Sequence, residues 1–185
     1  MRVITGIARG RKLRTLEGDD VRPTTDRVKE ALFSIIQFEI EGRRVLDLFA
    51  GSGQLGIEAL SRGAASAVFV DSSKKSVEVV RENLETVGFT KQASVVNTDS
   101  IAFLKSRAEK YDIAILDPPY KTGLVQSALE NITNVMNRSG VVICEAAEND
   151  PMPEKAGDFV LQRSYRYGKV WLYTYRAEEN EQESE

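Results

Sequence analysis

Between residues 45 and 144 short apolar runs alternate with helix-like stretches, and this alternation restricts the possible folds more than any single motif does. Val45-Leu46-Asp47-Leu48-Phe49, Ala67 to Asp71, Ser94 to Asn97, Tyr111 to Leu116 and Val141 to Cys144 read as strands. The stretches after the first four carry apolar residues at helical spacing: Leu55 to Arg62, then Val77, Val80, Leu84 and Val87, then Phe103 and Leu104, then Leu124, Ala128, Leu129, Ile132 and Val135. Gly63 and Gly88 stop the first two helices, and Ser72 or Ser73 caps the second. Phe159-Val160-Leu161 and Val170 to Tyr175 follow as a closing pair, joined by a hairpin connection over 165–169 centred on Gly168. Five βα-type units and an antiparallel pair predict an α/β fold of the Rossmann-like kind. Its sheet is doubly wound, mostly parallel and seven-stranded, with a C-terminal hairpin.

Outside this alternation lie two flanks. Residues 1–16 alternate weakly around Gly6 and Gly10 and predict a basic β-hairpin, followed by a turn at Glu17-Gly18-Asp19-Asp20. Arg22-Pro23-Thr24-Thr25-Asp26-Arg27 then opens a helix with Val28, Leu32, Ile35 and Ile36 on one face, ending near Gly42. From Ala177 onward the chain has no further apolar residue and is expected to be disordered. The expected organisation is therefore an N-terminal extension over 1–42, a catalytic-type domain over 43–176, and an acidic tail over 177–185.

Composition removes several chemistries. The 185 residues suit one domain with a full core. The chain has no histidine, so His-based triads, imidazole bases and His-ligated zinc are excluded. Its single cysteine, Cys144, lies in an apolar run and reads as a core thiol, and no metal site is expected. No run approaches the ~20 apolar residues that span a bilayer, so a cytoplasmic location is expected. The net charge is −3, but five of the 28 acidic residues fall within 177–185 and the rest of the chain is slightly basic. Arg2, Arg9, Arg11, Lys12 and Arg14 stand in the first sixteen positions with no acid among them, which is compatible either with a nucleic-acid partner or with a solvated surface.

Open α/β sheets bind ligands at the carboxyl ends of their strands. Gly51 and Gly53 follow the first strand, where a nucleotide cofactor approaches the backbone, and Asp71 ends the second strand where a ribose diol would bind. Asp99 follows the third strand, near an adenine edge. Asp47, inside the first strand, would repel a pyrophosphate but suits a cationic amino group. These carboxylates point to a cationic nucleoside such as S-adenosylmethionine. Asp117-Pro118-Pro119-Tyr120 closes the fourth strand. The Asp117 carboxylate and the Pro118 carbonyl offer two acceptors for an amine, and Tyr120 offers a face for stacking. Taken alone, those four residues read equally as a strand end and a turn.

Taken together, these motifs resemble class I methyltransferases that act on exocyclic or amide nitrogen. More narrowly, the chain is similar to the RsmD family. The similarity runs through the basic start Arg2 to Leu13, Arg22-Pro23-Thr24 with Asp26-Arg27-Val28-Lys29-Glu30, Asp47 to Gly56, Asp117 to Tyr120, and Tyr167-Gly168-Lys169. The resemblance implies a monomeric, S-adenosylmethionine-dependent enzyme that methylates N2 of a guanine, of the 966 site class, in 16S rRNA of the assembled or assembling small subunit. It implies a catalytic set of Asp117, Pro118, Pro119 and Tyr120. Cofactor contacts are expected from Thr24, Asp47, Phe49, Ala50, Gly51, Ser52, Gly53, Leu55, Asp71, Ser72, Asp99 and Ser100. RNA contacts are expected from Arg2, Arg9, Arg11, Lys12, Arg14, Arg22, Arg27 and Lys121. A DNA adenine-N6 methyltransferase, a protein-glutamine methyltransferase and a non-catalytic ribosome-assembly factor remain as alternatives.

Overall fold

Thr25 accepts the Val28 amide and caps helix α1 (Asp26–Ile35), whose buried face carries Val28, Lys29, Leu32 and Phe33. The structure, a computed structural model, describes residues 1–16, 25–106 and 109–178. The turn expected at 17–20, together with Arg22 and Thr24, lies outside the described residues. Helix α1 stops well short of Gly42. Ile36 and Ile40 are both buried across a turn whose Glu39 pairs with Arg176, so the chain leaves the helical path to reach the core.

The alternation after it folds as expected. Strand β1 (Arg44–Asp47) leads to helix α2 (Gln54–Ser61), β2 (Ser66–Asp71) to α3 (Lys74–Val87), and β3 (Ala93–Asn97) to α4 (Ser100–Ser106). Strand β4 (Tyr111–Leu116) is followed by α5 (Leu124–Ile132), which continues as a single 3-10 turn over Thr133–Val135. Strand β5 (Met136–Ala147) is longer than predicted at both ends. Gly140 lies inside it, where a Cβ would meet the Asp112 carbonyl oxygen at 2.7 Å, so the glycine permits close strand approach rather than starting the strand. A two-residue strand β6 (Lys155–Ala156) precedes β7 (Phe159–Tyr167) and β8 (Val170–Ala177).

The sheet order is β3-β2-β1-β4-β5-β8-β7-β6, parallel through β5 and antiparallel beyond it. All seven expected strands are present, and β6 adds a short edge. Helices α1 to α3 cover one face over Val45, Phe69, Ile113, Ile115 and Ile143. Helices α4 and α5 cover the other over Leu46, Val70, Leu116, Val142 and Cys144. Among the described residues no helix is long and apolar enough to cross a membrane.

The C-terminal hairpin differs from its expected form. Tyr165 to Tyr167 belong to β7, and only Gly168 and Lys169 make the turn. A bulge between Leu161 and Arg163 shifts the register. Phe159 and Leu161 therefore pack with the α4–α5 side, whereas Tyr165 and Tyr167 pack with the α1–α3 side. Ala177 ends β8, and Glu178 donates its amide to the Asp158 carbonyl and pairs with Lys155, so neither is loose. Residues 179–185 of the expected tail lie outside the described residues.

Residues 1–16 form a narrow strap with one bridge pair, Arg2 opposite Lys12, instead of two regular strands. Val3, Ala8 and Leu13 plug the α1–α3 core. The strap is fastened by polar groups of α2. The buried Glu58 carboxylate accepts the Ile4 and Thr5 amides at 2.8 and 2.9 Å, and Arg62 Nε at 3.0 Å. The Lys29 ammonium lies 3.7 Å from Glu58 and donates to the Arg2 carbonyl. Gly6 has φ +86° and runs so close to α2 that a Cβ there would overlap the Ser61 carbonyl oxygen at 1.8 Å.

Removing one partner of a buried ion pair leaves the other without compensation, at a cost of about 3–5 kcal/mol. Glu58→Ala should therefore lower stability by roughly that amount in denaturant unfolding, and should expose residues 1–16 to limited proteolysis. A change under about 0.5 kcal/mol, the range of an ordinary surface substitution, would show that the strap is held by its apolar plugs alone.

Candidate active site

The direction of winding reverses at β1, although its neighbours β2 and β4 both run parallel to it. From β1 the chain winds outward through β2 and β3, then returns to place β4 on the opposite side. The carboxyl ends of β1 and β4 therefore part and leave a crevice. A cleft of about 940 Å³ opens there, at the upper end of the range for small-molecule sites.

The loop after β1 forms its floor. Gly51 and Gly53 have φ +54° and +80°, in the region glycine adopts readily. The Gly51 amide donates to Asp71 Oδ2 at 2.9 Å, and the other Asp71 oxygen accepts the Ser73 amide at 2.9 Å. Asp71 thus ties the end of β2 to the loop after β1. Asp99 lies on the same rim and accepts the Ala102 amide at 2.9 Å at the start of α4.

Asp47 is placed differently. It is 1% exposed, does not line the cleft, and accepts the Gly56 amide through Oδ2 at 2.9 Å. Oδ1 makes no hydrogen bond among the described residues. Burial raises its carboxyl to about 7, against the Gly56 hydrogen bond, and the negative charge of Asp71 adds to the rise. It therefore acts on the cleft from behind the loop. Gly53 is likewise set back, with Val80 at 3.2 Å from the position of a Cβ.

The other wall is Asp117-Pro118-Pro119-Tyr120, all four residues lining the cleft. Phe49, Ala50, Gly51, Ser52, Leu55, Asp71, Ser72, Asp99 and Ser100 line it too, so most of the expected set converges on one cavity. The Tyr120 hydroxyl donates to Glu145, which the sequence reading missed. Glu145 carries the same signal as the other acids, a carboxylate directly after an apolar run, but β5 was expected to end at Cys144. Met1, Thr15 and Leu16 also reach the cleft.

A buried amide joins the strap to the floor. Asn83 of α3 accepts the Arg14 amide at 2.7 Å, and its Nδ2 donates to the carbonyls of Arg14 and Ser52 at 3.0 and 2.9 Å. Nothing in the sequence distinguishes Asn83 from a polar residue on a solvated helix face. Arg9, Arg11 and Lys12 are exposed on the strap and Arg27 on α1, whereas Arg2 lies 3.7 Å from Asp26 and Arg14 pairs with Glu82. Lys121 is exposed just beyond Tyr120, with φ +59°.

A family model described as Conserved hypothetical protein 95 matches residues 1–176. YlbH of Bacillus subtilis, provisionally named an rRNA methyltransferase, is 40% identical over 181 residues, covering 95% of this chain and 98% of that protein. Ribosomal RNA small subunit methyltransferase D of Escherichia coli is 34% identical over 184 residues, covering 96% and 90%. The solved Escherichia coli structure provisionally named methyltransferase yhhF superposes with a TM-score of 0.86 at 33% identity, covering 96% of this chain and 98% of that one.

The Asp47 carboxyl gives a pH signature. Its folded value of about 7 lies above its ordinary 3.8, so the folded chain keeps a proton that the unfolded chain has lost. This contribution to stability is present at low pH, declines from about pH 4 to 7, and is lost above that. Asp47→Asn should flatten that slope in thermal unfolding across the window. Parallel curves for the two proteins would show that Asp47 stays ionised throughout.

Proposed function

We propose that this chain, which belongs to the RsmD family of ribosomal RNA small subunit methyltransferases, transfers a methyl group from S-adenosylmethionine to the exocyclic N2 of a guanine in 16S rRNA. The observation that carries this reading is the continuity of the cleft. The Gly51 loop, Asp71 and Asp99 share one cavity with the Asp117-Pro118-Pro119-Tyr120 wall. A cofactor half and an amine-binding half in one space are what a direct transfer between two bound molecules needs.

The residues present fit the cofactor. Burial, with the nearby charge of Asp71 adding to it, disfavours the ionised form of Asp47, and a positively charged ligand beside the loop relieves that cost. Asp71 is preset for a ribose diol and Asp99 for the adenine end, with Phe49, Ala50, Leu55, Ser72 and Ser100 around them. Thr24, outside the described residues, belongs to the same proposed contact set, as do the set-back Asp47 and Gly53. When bound, S-adenosylmethionine supplies an electrophilic methyl group on its sulfonium.

The protein's task is then to present a weak nucleophile. The lone pair of a guanine amine is delocalised into its ring. The Asp117 carboxylate and Pro118 carbonyl accept hydrogen bonds from its two N–H groups and favour the pyramidal nitrogen that attacks, and Asp117 takes the proton that this nitrogen sheds once it carries the methyl group. Pro119 holds the turn, and Tyr120 stacks on the extruded base, an interaction worth about 1–3 kcal/mol. The reaction needs no imidazole, in keeping with a chain that has no histidine.

Arg9, Arg11, Lys12 and Arg27, with Arg2, Arg14, Arg22 and Lys121, hold phosphates. Residues 1–42 form the RNA-binding extension and residues 43–176 the catalytic domain, and the enzyme acts in the cytoplasm as a monomer on the assembled or assembling small subunit. The target belongs to the 966 site class.

Labelled S-adenosylmethionine and small subunits lacking the modification test this reading. Incorporation into guanine N2 of 16S rRNA is expected, while incorporation only into DNA adenine or protein would overturn it. Asp117→Ala should reduce transfer by at least about 10²-fold while cofactor affinity changes only a few-fold. A collapse of cofactor binding would place Asp117 in the other half of the site. Reversing the charges of Arg11 and Lys12 should weaken RNA binding and reduce the slope of log affinity against log salt by up to about 2. An unchanged slope would show that the strap does not touch phosphate.

A further inference from the structure

Glu145 is 5% exposed, lines the cleft and receives the Tyr120 hydroxyl. Its position follows from register. Strands β4 and β5 run parallel with Leu116 opposite Cys144, so Asp117 and Glu145 are the next residues on neighbouring strands. Both reach the same end of the cavity.

This arrangement bears on a question the amine clamp leaves open. Guanine and adenine each carry an exocyclic NH₂ beside ring nitrogen N1. Two acceptors at Asp117 and Pro118 satisfy either amine and so cannot separate the bases. The difference lies at N1, which is a donor N–H in guanine and a lone-pair acceptor in adenine. An ionised carboxylate only accepts. Placed one strand across from Asp117, it bonds guanine N1–H and meets the adenine lone pair with repulsion.

We propose that Glu145 reads guanine N1–H and makes the site select guanine over adenine, an assignment that rests on the guanine-N2 reading above. Tyr120 has two roles in this arrangement. Its ring stacks on the base, and its hydroxyl, occupying one Glu145 oxygen, fixes the carboxylate's orientation. A carboxylate has about four lone-pair sites, so one tyrosine bond leaves acceptor capacity for a base. Sites built around such a hydrogen bond discriminate strongly, because the wrong ligand leaves a buried polar group unmatched.

The test compares small subunits carrying guanine at the target with subunits in which that base is adenine. Glu145→Gln presents either an acceptor or a donor at the same place. Its kcat/KM on guanine subunits should fall about 10- to 100-fold, and its guanine-to-adenine preference at least about 10-fold. Cofactor affinity should stay within about 3-fold, since Glu145 belongs to the amine side of the cleft. Tyr120→Phe keeps charge and ring but frees the carboxylate, and should shift the preference the same way by about 3- to 10-fold. An unchanged preference in either folded variant, with guanine transfer intact, overturns the Glu145 assignment and leaves the guanine-N2 reading standing. A wild-type enzyme that methylates neither kind of subunit overturns that reading and the assignment with it.

Discussion

The buried carboxylate of Glu58 joins three parts of the chain: the strap, α1 and α2. It satisfies two strap amides, faces the Lys29 ammonium from α1 and receives Arg62 from its own helix. Burial drives the Lys29 ammonium below its usual pKa, and the charge of Glu58 opposes that drop. Each group is tolerable in the interior only because the others are present. Helix α2, which starts directly after the glycine loop, is thereby pinned from behind by the strap. Asn83 makes a second fastening at the strap's far end. The floor of the cleft is therefore held on its outer side by the segment that carries the exposed arginines.

Carboxylates gather along the rim of the sheet, yet they are not left to repel one another as free side chains. Gly56 holds Asp47, Gly51 and Ser73 hold Asp71, and Ala102 holds Asp99, all through backbone amides. Main-chain donors orient each acid before any ligand arrives, and loop entropy is spent during folding instead of binding. The electrostatic penalty that remains at Asp47 can be relieved by a cation, so the cleft favours a positively charged ligand.

Much of this was legible in the sequence because strand ends are. Asp71, Asp99 and Asp117 follow apolar runs, and a doubly wound sheet brings such positions to one edge. Asp47 was legible as a rim acid but not as one turned behind the loop, since its direction depends on the Gly56 amide nine residues on. Glu145 carried the same signal directly after Val141 to Cys144, but β5 was expected to stop at Cys144 and instead runs on to Ala147, so this acid sits inside the strand. Lys29, Glu58 and Asn83 were illegible for a different reason. Each occupies a helix position where a polar side chain ordinarily means solvent, and each is held by the strap, a segment without regular structure of its own. The end of α1 at Ile35 has the same origin, because tertiary burial of Ile36 and Ile40 overrode the continuing helical pattern.

The bulge at the middle of β7 has a consequence for how this chain can vary. Side chains in a strand alternate in parity, and the extra residue near Gln162 reverses that parity once. Phe159 and Leu161 count as one colour before it, and Tyr165 and Tyr167 as the other after it. Loss of Gln162 would remove the bulge, leaving Leu161 opposite Tyr175 and Arg163 opposite Thr174 as adjacent residues in regular alternation. Tyr165 and Tyr167 would keep their places opposite Leu172 and Val170 on the α1–α3 side, and Arg166 its place opposite Trp171. The hairpin therefore carries one residue that its pairing does not use, and the loss of a residue at Gln162 is a change of length that this strand can absorb.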